Sequence, residues 1–532
     1  MSILALGPAG GVVPVSAPAP IGSLRSIWES GLGPRREPLE RARRVSALTV
    51  PHLIPPEGTE PGRDLPDTFQ SVGARGLNNL AARLQLTLLP PSEPWLRYEI
   101  SPADLRELGV EGDAEDVTAA RLELAQRAEQ VQRWVNVRGI RGASYEFFRH
   151  VLVAGTSVMR LSRETGPRLY RLPYFQVSRK ADGSWWRLLT CERVTAADFT
   201  DDGVRAALGF DGNNRVKTLY RVVELTPDQG WISRQECDRS PVPGSLVVYG
   251  RDEADVPWIV SRFGAPPDED YGRSLGEETL GDLRTLEGLT QALAEAAAIA
   301  AEVKWAVSPG SGMTPFQLMN TPNGGCIGGE GDLVKGINLE KGADLSFALQ
   351  MLQRIETRVE LGFLLRSAIQ RDAERVTAEE IRAMMQELEV ALGGGFSTFA
   401  TEFQAALAKK AERILERTKE LPPIPSEIKV DLQVITGLEA LARGQERLKL
   451  LAYTQDGQNA LGPEEFSKRH HGNELLRRLA LTTGVNPDGL LLSDEEVAQQ
   501  AEADNQNSLL QTAAPQLAQA LGRLVENSQT PG

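Results

Sequence analysis

The chain has 532 residues, with 58 Lys plus Arg against 72 Asp plus Glu, a formal charge of −14, and 41 % hydrophobic residues. At about 100 to 200 residues per domain, that length supplies several domains or one elaborated architecture with an ample core, and the composition excludes a disordered or fibrous chain. Three cysteines (Cys191, Cys237, Cys326) with no CxxC pair exclude a disulfide framework and point to a reducing compartment, and no uncharged apolar run of about 20 residues predicts a membrane span.

In chain order, residues 1–24 carry no charge but four prolines (Pro8, Pro14, Pro18, Pro20) and lack a basic leader, so they are expected to form a flexible arm. Residues 21–50 are helix-compatible. Five arginines (Arg35, Arg36, Arg41, Arg43, Arg44) crowd ten positions there, and the interleaved Glu37 and Glu40 favour a solvated face over a nucleic-acid contact. Leu77, Leu80, Leu84 and Leu88 stripe a helix over 69–89, closed by Pro90 and Pro91, and a further helix is expected over 114–160.

From about 168 to 263 the period becomes alternating, with strands expected at Val216–Leu225, Trp231–Cys237, Ser245–Tyr249 and Trp258–Phe263. Asp182-Gly183 marks a hairpin, because glycine accepts the positive φ of a tight turn. Of the neighbouring Trp185 and Trp186, alternation sends one side chain into the core and the other outward.

Ser274 and Glu277 have capping-box spacing and open a long helix reaching about Val303, striped by Leu280, Leu283, Leu286, Leu289 and Leu293 and ending in an alanine-rich stretch suited to close helix approach. Eleven glycines and prolines between Pro309 and Gly336 predict a loop-rich insert without helix. A second long helix is expected over Asp344–Ile369, then a polar link Gln370–Val376. Thr377 and Glu380 cap a third long helix, interrupted at Gly393–Gly395. A strand at Ile428–Val434 precedes a helical C-terminal region in which Ser493 and Glu496 repeat the cap spacing, followed by a polar tail.

The chemistry of an enzyme is not expected. No GxxxxGK[ST] loop occurs, and Lys335, beyond the glycines at 324–331, is followed by neither Ser nor Thr. The four histidines (His52, His150, His470, His471) show no metal-ligand spacing, and no nucleophile elbow is expected. Carboxylate pairs such as Glu277/Glu278 and Glu379/Glu380 sit in first helical turns, where the helix dipole accounts for them. No catalytic residue, metal or cofactor is assigned.

Two stretches, YGRSLGEETLGDLRTLEGLTQALAEAAAIAAEVKW and RDAERVTAEEIRAMMQELEVALGGGFS, resemble signature segments of the portal protein (head-to-tail connector) family of short-tailed bacteriophages; GARGLNNLAARLQLTLLPPSEPWLRYEI and VLVAGTSVMRLSRE match in kind and order. The resemblance implies an α+β, mostly helical portal fold assembled as a ring, usually of twelve subunits, at one capsid vertex. Its parts would be an arm (1–24), a wing (25–271, with the β-rich module at about 168–263), a first stem helix (272–303), a clip (304–343), a second stem helix (344–369), a tunnel loop (370–376), a wing return (377–436), a crown (437–510) and a tail (511–532). The implied site residues are Arg366, Gln370, Arg371, Asp372, Glu374 and Arg375 along a DNA channel, and Pro309, Met313, Phe316, Asn323 and Lys335 on the clip, where motor and tail would dock. Arg371 and Arg375 either centre the duplex or pair with Asp372 and Glu374 between subunits. The implied partners are double-stranded DNA passing without sequence specificity, the terminase large subunit, major capsid and scaffolding proteins, a tail tubular adaptor and internal core proteins, in a virion assembled in the bacterial cytoplasm. A non-conducting structural adaptor is the alternative, and an enzyme with a non-motif site the more remote one.

Overall fold

A computed structural model describes residues 4–6, 12–14, 23–60, 62–91, 94–100, 115–210, 216–301, 304–308, 314–322, 326, 334–337, 342–365, 378–424, 430–434 and 437–483. The chain divides into two compact units, one of residues 1–91 and 133–422, the other of 92–132 and 423–532.

The first unit opens with β1 (Leu4–Leu6) paired antiparallel to β2 (Val12–Pro14), so the described parts of the arm are a small ladder and not the flexible chain expected. Helices α1 (Leu24–Ser30), α2 (Leu32–Leu48) and α3 (Val72–Leu88) follow. All four leucines of the expected stripe on α3 are buried. The arginine-rich α2 keeps Arg36 and Arg44 on the solvated face expected, but Arg35 departs from it. Arg35 is buried, stacks on Trp28 with its guanidinium carbon 4.4 Å from the ring centroid, and donates from Nη1 to the carbonyls of Pro173 and Phe175 at 3.1 Å. Arg41 pairs with Glu277 at 3.3 Å and Arg43 with Glu57 at 2.9 Å.

In the second unit β3 (Leu96–Ile100) forms a two-stranded antiparallel sheet with a strand near residue 430. The helix expected over 114–160 is two helices and a strand: α4 (Glu115–Val137), which crosses the division between the units, α5 (Ile140–Ala154) and β4 (Thr156–Arg160). Gly139 and Gly155, at φ +71° and +73°, make the breaks in left-handed backbone where a side chain is strained.

The β-rich module of the first unit then adds β5 (Arg168–Tyr170), β6 (Phe175–Arg179), β7 (Trp185–Val194), the short α6 (Asp202–Ala207), β8 (Lys217–Thr226), β9 (Gly230–Cys237), β10 (Ser240–Pro241), β11 (Val247–Gly250) and β12 (Trp258–Arg262). Strands β10-β9-β8-β7-β6, with β11 also on β9, make one six-stranded sheet; β12-β4-β5 make a second sheet of three. Gly183 takes φ +83° in the β6–β7 turn, as the Asp-Gly signal predicts. Trp185 is buried against Trp231 at 4.4 Å, while Trp186, the extra residue where the β6–β7 register shifts, is half-buried under Arg187.

The outer edge of β6 is closed by side chains. The Phe175 carbonyl accepts from Arg35, Val177 N–H donates to Tyr271 Oη at 3.3 Å, and Arg179 N–H donates to Asp270 Oδ1 at 2.6 Å. Burial pushes the Tyr271 hydroxyl up to about 12, so it stays neutral.

Next come α7 (Leu275–Glu278), α8 (Leu280–Ala301), β13 (Lys304–Val307), α9 (Pro315–Asn320), β14 (Val334–Ile337), α10 (Gly342–Gly362), α11 (Ala378–Leu392), α12 (Gly394–Phe399), one π-helical stretch (Ala400–Ala405) and α13 (Ala406–Arg417). Ser274 Oγ does accept from Glu277 N–H, but the Glu277 carboxylate turns to Arg273 and Arg41 and does not close the box. The first long helix breaks at Thr279, whose hydroxyl bonds back to the carbonyls of Leu275 and Gly276, a pattern that bends helices. Gly393, at φ +51°, interrupts the third helix where expected. The core of this unit contains an aromatic cluster: Phe147 and Phe148 of α5 pack on Phe399 and Phe403, with centroids 4.8 to 5.6 Å apart. Each such pair adds about 0.5–1.5 kcal/mol beyond area burial.

The second unit is completed by β15 (Val430–Val434), the partner of β3 with Val430 opposite Ile100, and by α14 (Gly437–Leu461), α15 (Pro463–Arg469) and α16 (Gly472–Thr483). His470 and His471 do lie at the surface, His471 exposed and His470 half-buried. His470 stacks on Phe466 at 4.0 Å, bonds to the Phe466 carbonyl through Nδ1, which therefore donates, and bonds to Tyr453 Oη through Nε2. The Ser493/Glu496 cap and the polar tail lie outside the described residues.

Candidate functional site

The longest uninterrupted helices of the first unit's middle are α8 and α10, with 22 and 21 residues and about 32 Å each at 1.5 Å per residue. They run antiparallel. Asp282 near the start of α8 pairs with Arg358 near the end of α10, while β13, just after α8, pairs with β14, just before α10, from Lys304 opposite Ile337 to Val307 opposite Val334.

Burial along this pair is graded. Leu283, Leu286, Ile355, Val359 and Phe363 are buried at the base, where α3 supplies a seat. A Cβ at Gly73 would lie 3.1 Å from Leu283 Cδ2, and one at Gly76 2.6 Å from Phe363 Cβ, so glycine at both positions lets the base sit against the α3 backbone. Glu287 reinforces the seat, accepting from the N–H groups of Phe69 and Gln70. Towards the other end apolar side chains face solvent: Ile299 is 50 % exposed and Phe347 71 %, with Leu349 and Met351 also open. A groove of about 690 Å³ runs along α10, lined by Gln350, Met351, Gln353, Arg354, Thr357 and Arg358. Counted along α8 and α10, six acids (Asp282, Glu287, Glu295, Asp344, Glu356, Glu360) outnumber three bases (Arg284, Arg354, Arg358).

The insert between the helices differs from the helix-free loop expected. Pro315–Asn320 is helical because local chemistry overrides composition: Thr314 Oγ1 accepts from Gln317 N–H, the Gln317 side chain accepts from Thr314 N–H, and Pro315 fits the first helical position. This helix presents Phe316 (76 % exposed) and Met319 (85 % exposed) three residues apart on one side. Met319 was missed in the sequence because the stretch was read as helix-free; the capping box at Thr314 and Gln317 was the available signal. Of the other expected docking residues, Lys335 stands in β14 opposite Ala306, and Pro309, Met313 and Asn323 lie outside the described residues. Arg366, Gln370, Arg371, Asp372, Glu374 and Arg375 lie outside them too, as does Thr377 of the expected cap. The described chain flanking them is the turn at Phe363–Leu365, with Leu364 at φ +55°, and α11, tied to α3 by Arg83 and Glu387 at 3.2 Å.

Gly272-Arg273-Ser274-Leu275-Gly276 has the GxSxG spacing, contrary to the expectation that no such elbow occurs. Its geometry is that of packing. Ser274 is buried with its hydroxyl on the Glu277 amide, a Cβ at Gly272 would meet the Gly155 carbonyl at 2.3 Å, and one at Gly276 would meet Val45 at 2.3 Å. A cavity of about 410 Å³ lined by Phe263, Leu275, Glu278, Leu392, Gly395 and Thr398 contains a single ionisable group. Cys191 and Cys237 are unpaired thiols pushed up to about 11 by burial, and Cys326 is unpaired and exposed.

The family described as bacteriophage head to tail connecting protein matches residues 22–487. The chain is similar to the portal protein of Enterobacteria phage T3, 31 % identical over 503 residues covering 93 % of this chain and 92 % of the relative. It is similar to the portal protein of Escherichia phage T7, 31 % identical over 507 residues and 93 % of each. Among solved structures it is similar to a chain in the neck of a native GTA particle computed with C12 symmetry, at 12 % identity and a TM-score of 0.36, covering 78 % of this chain and 90 % of that one.

Proposed function

As the chain belongs to the bacteriophage head to tail connecting protein family, we propose that it works as a closed ring at one capsid vertex through which double-stranded DNA is packaged and later ejected. Its role as a portal, the head-to-tail connector used in genome packaging, is carried by one observation: 31 % identity to portal proteins across 93 % of its length.

Within that role, α8 and α10 are assigned as the stem, the insert 304–343 as the clip, 370–376 as the tunnel loop, the β-rich module as part of the wing and the region after 437 as the crown. A ring supports itself through heterologous contacts, which need two different complementary faces per subunit. The exposed apolar half of the helix pair and the alanine-rich end of α8 suit that demand, with Ile299, Phe347 and Leu349 gaining burial worth about 25 cal/mol per Å².

Electrostatics suits a conduit. Basic contacts gain affinity for DNA by releasing counterions, so a channel that must let its cargo slide is better acidic. Twelve copies would carry 12 × −14 = −168 charges, screened beyond about 8 Å at physiological salt, which discourages adhesion without blocking a threaded duplex. Arg371 and Arg375, with Arg366 behind them, are assigned to centring the duplex, with Gln370, Asp372 and Glu374 beside them on the loop. Phe316, with Pro309, Met313, Asn323 and Lys335, is assigned to docking the terminase motor and then the tail tubular adaptor. Capsid, scaffolding and internal core proteins complete the partners, in the virion. The chain needs no nucleotide site of its own if the motor hydrolyses ATP.

Electron microscopy of the purified chain tests the ring: a closed particle of about a dozen subunits, with a hole wider than a duplex, is expected, and open filaments or monomers under assembly conditions overturn it. Arg371→Ala with Arg375→Ala should alter DNA content in heads whose rings still assemble; unchanged content removes those residues from the channel assignment.

A further inference from the structure

The two sheets of the first unit meet along a seam whose chemistry the portal role does not use. Register places Thr190, Glu192, Arg221 and Ser233 on one face of the six-stranded sheet, and Arg160, Tyr170 and Trp258 on one face of the three-stranded sheet. These two faces oppose each other: Arg221 and Arg160 both stand with their guanidinium carbons 5.8 Å from the Trp258 ring centroid, and Tyr170 Oη donates to Glu192 Oε1 at 2.5 Å.

Arg221 is buried and, among the described residues, makes no hydrogen bond through Nη1; its nearest carboxylate oxygen, Glu192 Oε1, is 3.9 Å away. That carboxylate is already engaged, by Tyr170 on Oε1 and by Arg168 on Oε2 at 2.9 Å. Two further buried polar atoms beside Arg221 have no partner among the described residues: Thr190 Oγ1, on the residue directly across the strand pair, and Trp258 Nε1, on the ring that Arg221 faces. Among the described residues the seam therefore holds Arg221 and half-buried Arg160, with exposed Arg168 at its rim, against the one carboxylate of Glu192. Burial keeps Tyr170 neutral, its hydroxyl pushed up to about 12, and pushes Tyr249 up as well, so no phenolate balances the excess.

We propose that this seam is a binding site for a small inorganic anion, held by Arg221 with Thr190, Trp258 and Arg160. A desolvated guanidinium nitrogen without an acceptor is costly, and an anion accepts at once from guanidinium, indole and hydroxyl donors while adding negative charge; water supplies acceptors but leaves the charge. The guest is small because Thr190 and Trp258 are buried, beyond the reach of a carboxylate on another chain, whereas half-buried Arg160 and exposed Arg168 mark the rim through which an ion enters. The anion staples one sheet to the other.

The test uses the full chain at constant ionic strength in chloride, phosphate or gluconate, the last too large to enter. Thermal unfolding is expected about 3 °C higher in an anion that fits, at a hundredfold excess over its Kd, than in gluconate. Chloride alone sufficing identifies a halide site, and phosphate alone an oxyanion site. Arg221→Met should abolish the difference, and Arg160→Gln, at the rim, should weaken it without risk to the core. Crystals grown in bromide should show an anomalous peak beside Arg221 Nη1 if chloride is active. Equal anion dependence in the wild type and in Arg160→Gln, or equal unfolding temperatures in all three salts, overturns the proposal.

Discussion

Replacing Gly76 by Ala should change sign with its background. The new Cβ would stand 2.6 Å from Phe363 Cβ and 2.7 Å from Cγ, about 1 Å inside the usual carbon–carbon separation, and neither is the far end of a flexible side chain. Overpacking of this kind costs about 1–3 kcal/mol, while removing a glycine from a helix interior gains about 1 kcal/mol, for a net loss of about 1 kcal/mol. The unit holding this contact has about 380 residues, so its unfolding entropy is about 0.8 kcal/mol per kelvin and 1 kcal/mol moves Tm by about 1.3 °C. Phe363→Ala alone should lower Tm by about 4–6 °C, from a cost of about 3–5 kcal/mol. In that background the clash is gone and only the helix gain remains, so adding Gly76→Ala should raise Tm by about 1 °C. Scanning calorimetry of the four proteins reads the cycle. A Gly76→Ala effect of the same sign in both backgrounds refutes the reasoning that Phe363 is what makes glycine necessary on α3.

His150 should make the fold acid-sensitive. It is buried and held neutral, its folded pKa lowered to about 3 from 6.5, first by burial and then by Arg171 and Arg149, so its stabilising effect is full above pH 6.5 and is lost as pH falls towards 3. Chemical unfolding at pH 6.5 and 4.5 should differ by up to about 2.7 kcal/mol from this residue, and His150→Gln should flatten that slope. Arg358→Ala should cost less than about 1 kcal/mol, because its pair with Asp282 is largely exposed, and the loss should shrink in high salt. Phe316→Ser with Met319→Ser should leave circular dichroism and Tm unchanged, since both side chains are exposed, while weakening capture of the packaging motor by assembled rings.

The elements that sequence made legible are those whose signal is local and repeated. The stripe from Leu77 to Leu88, the alternation in β7 to β9 and the Asp182-Gly183 turn each state their structure within a few residues. What escaped depends on distant partners. Nothing near Arg35 announces that its guanidinium serves carbonyls about 140 positions away, and Gly139 or Gly155 reads equally as a tolerated helix glycine or a left-handed stop. At Pro315–Asn320 a local cap was outvoted by composition. The proposed channel and docking residues rest on the resemblance of whole segments, because a surface completed by other chains would leave no catalytic spacing in one of them. Phe316 is the one expected docking residue whose exposed side chain the described structure presents.

The closed edge of β6 bears on how copies of this chain meet. An open strand is a template: it accepts any similar strand, and acceptance leaves a fresh open strand at the far side of the newcomer, so growth has no natural end. Here three outward main-chain groups of β6 are already answered by Arg35, Tyr271 and Asp270 from the same chain. In the proposed ring, a dozen copies shoulder to shoulder would then offer that strand no invitation to polymerise, and the number of neighbours would be left to helix faces, whose angles can bring the last subunit back to the first.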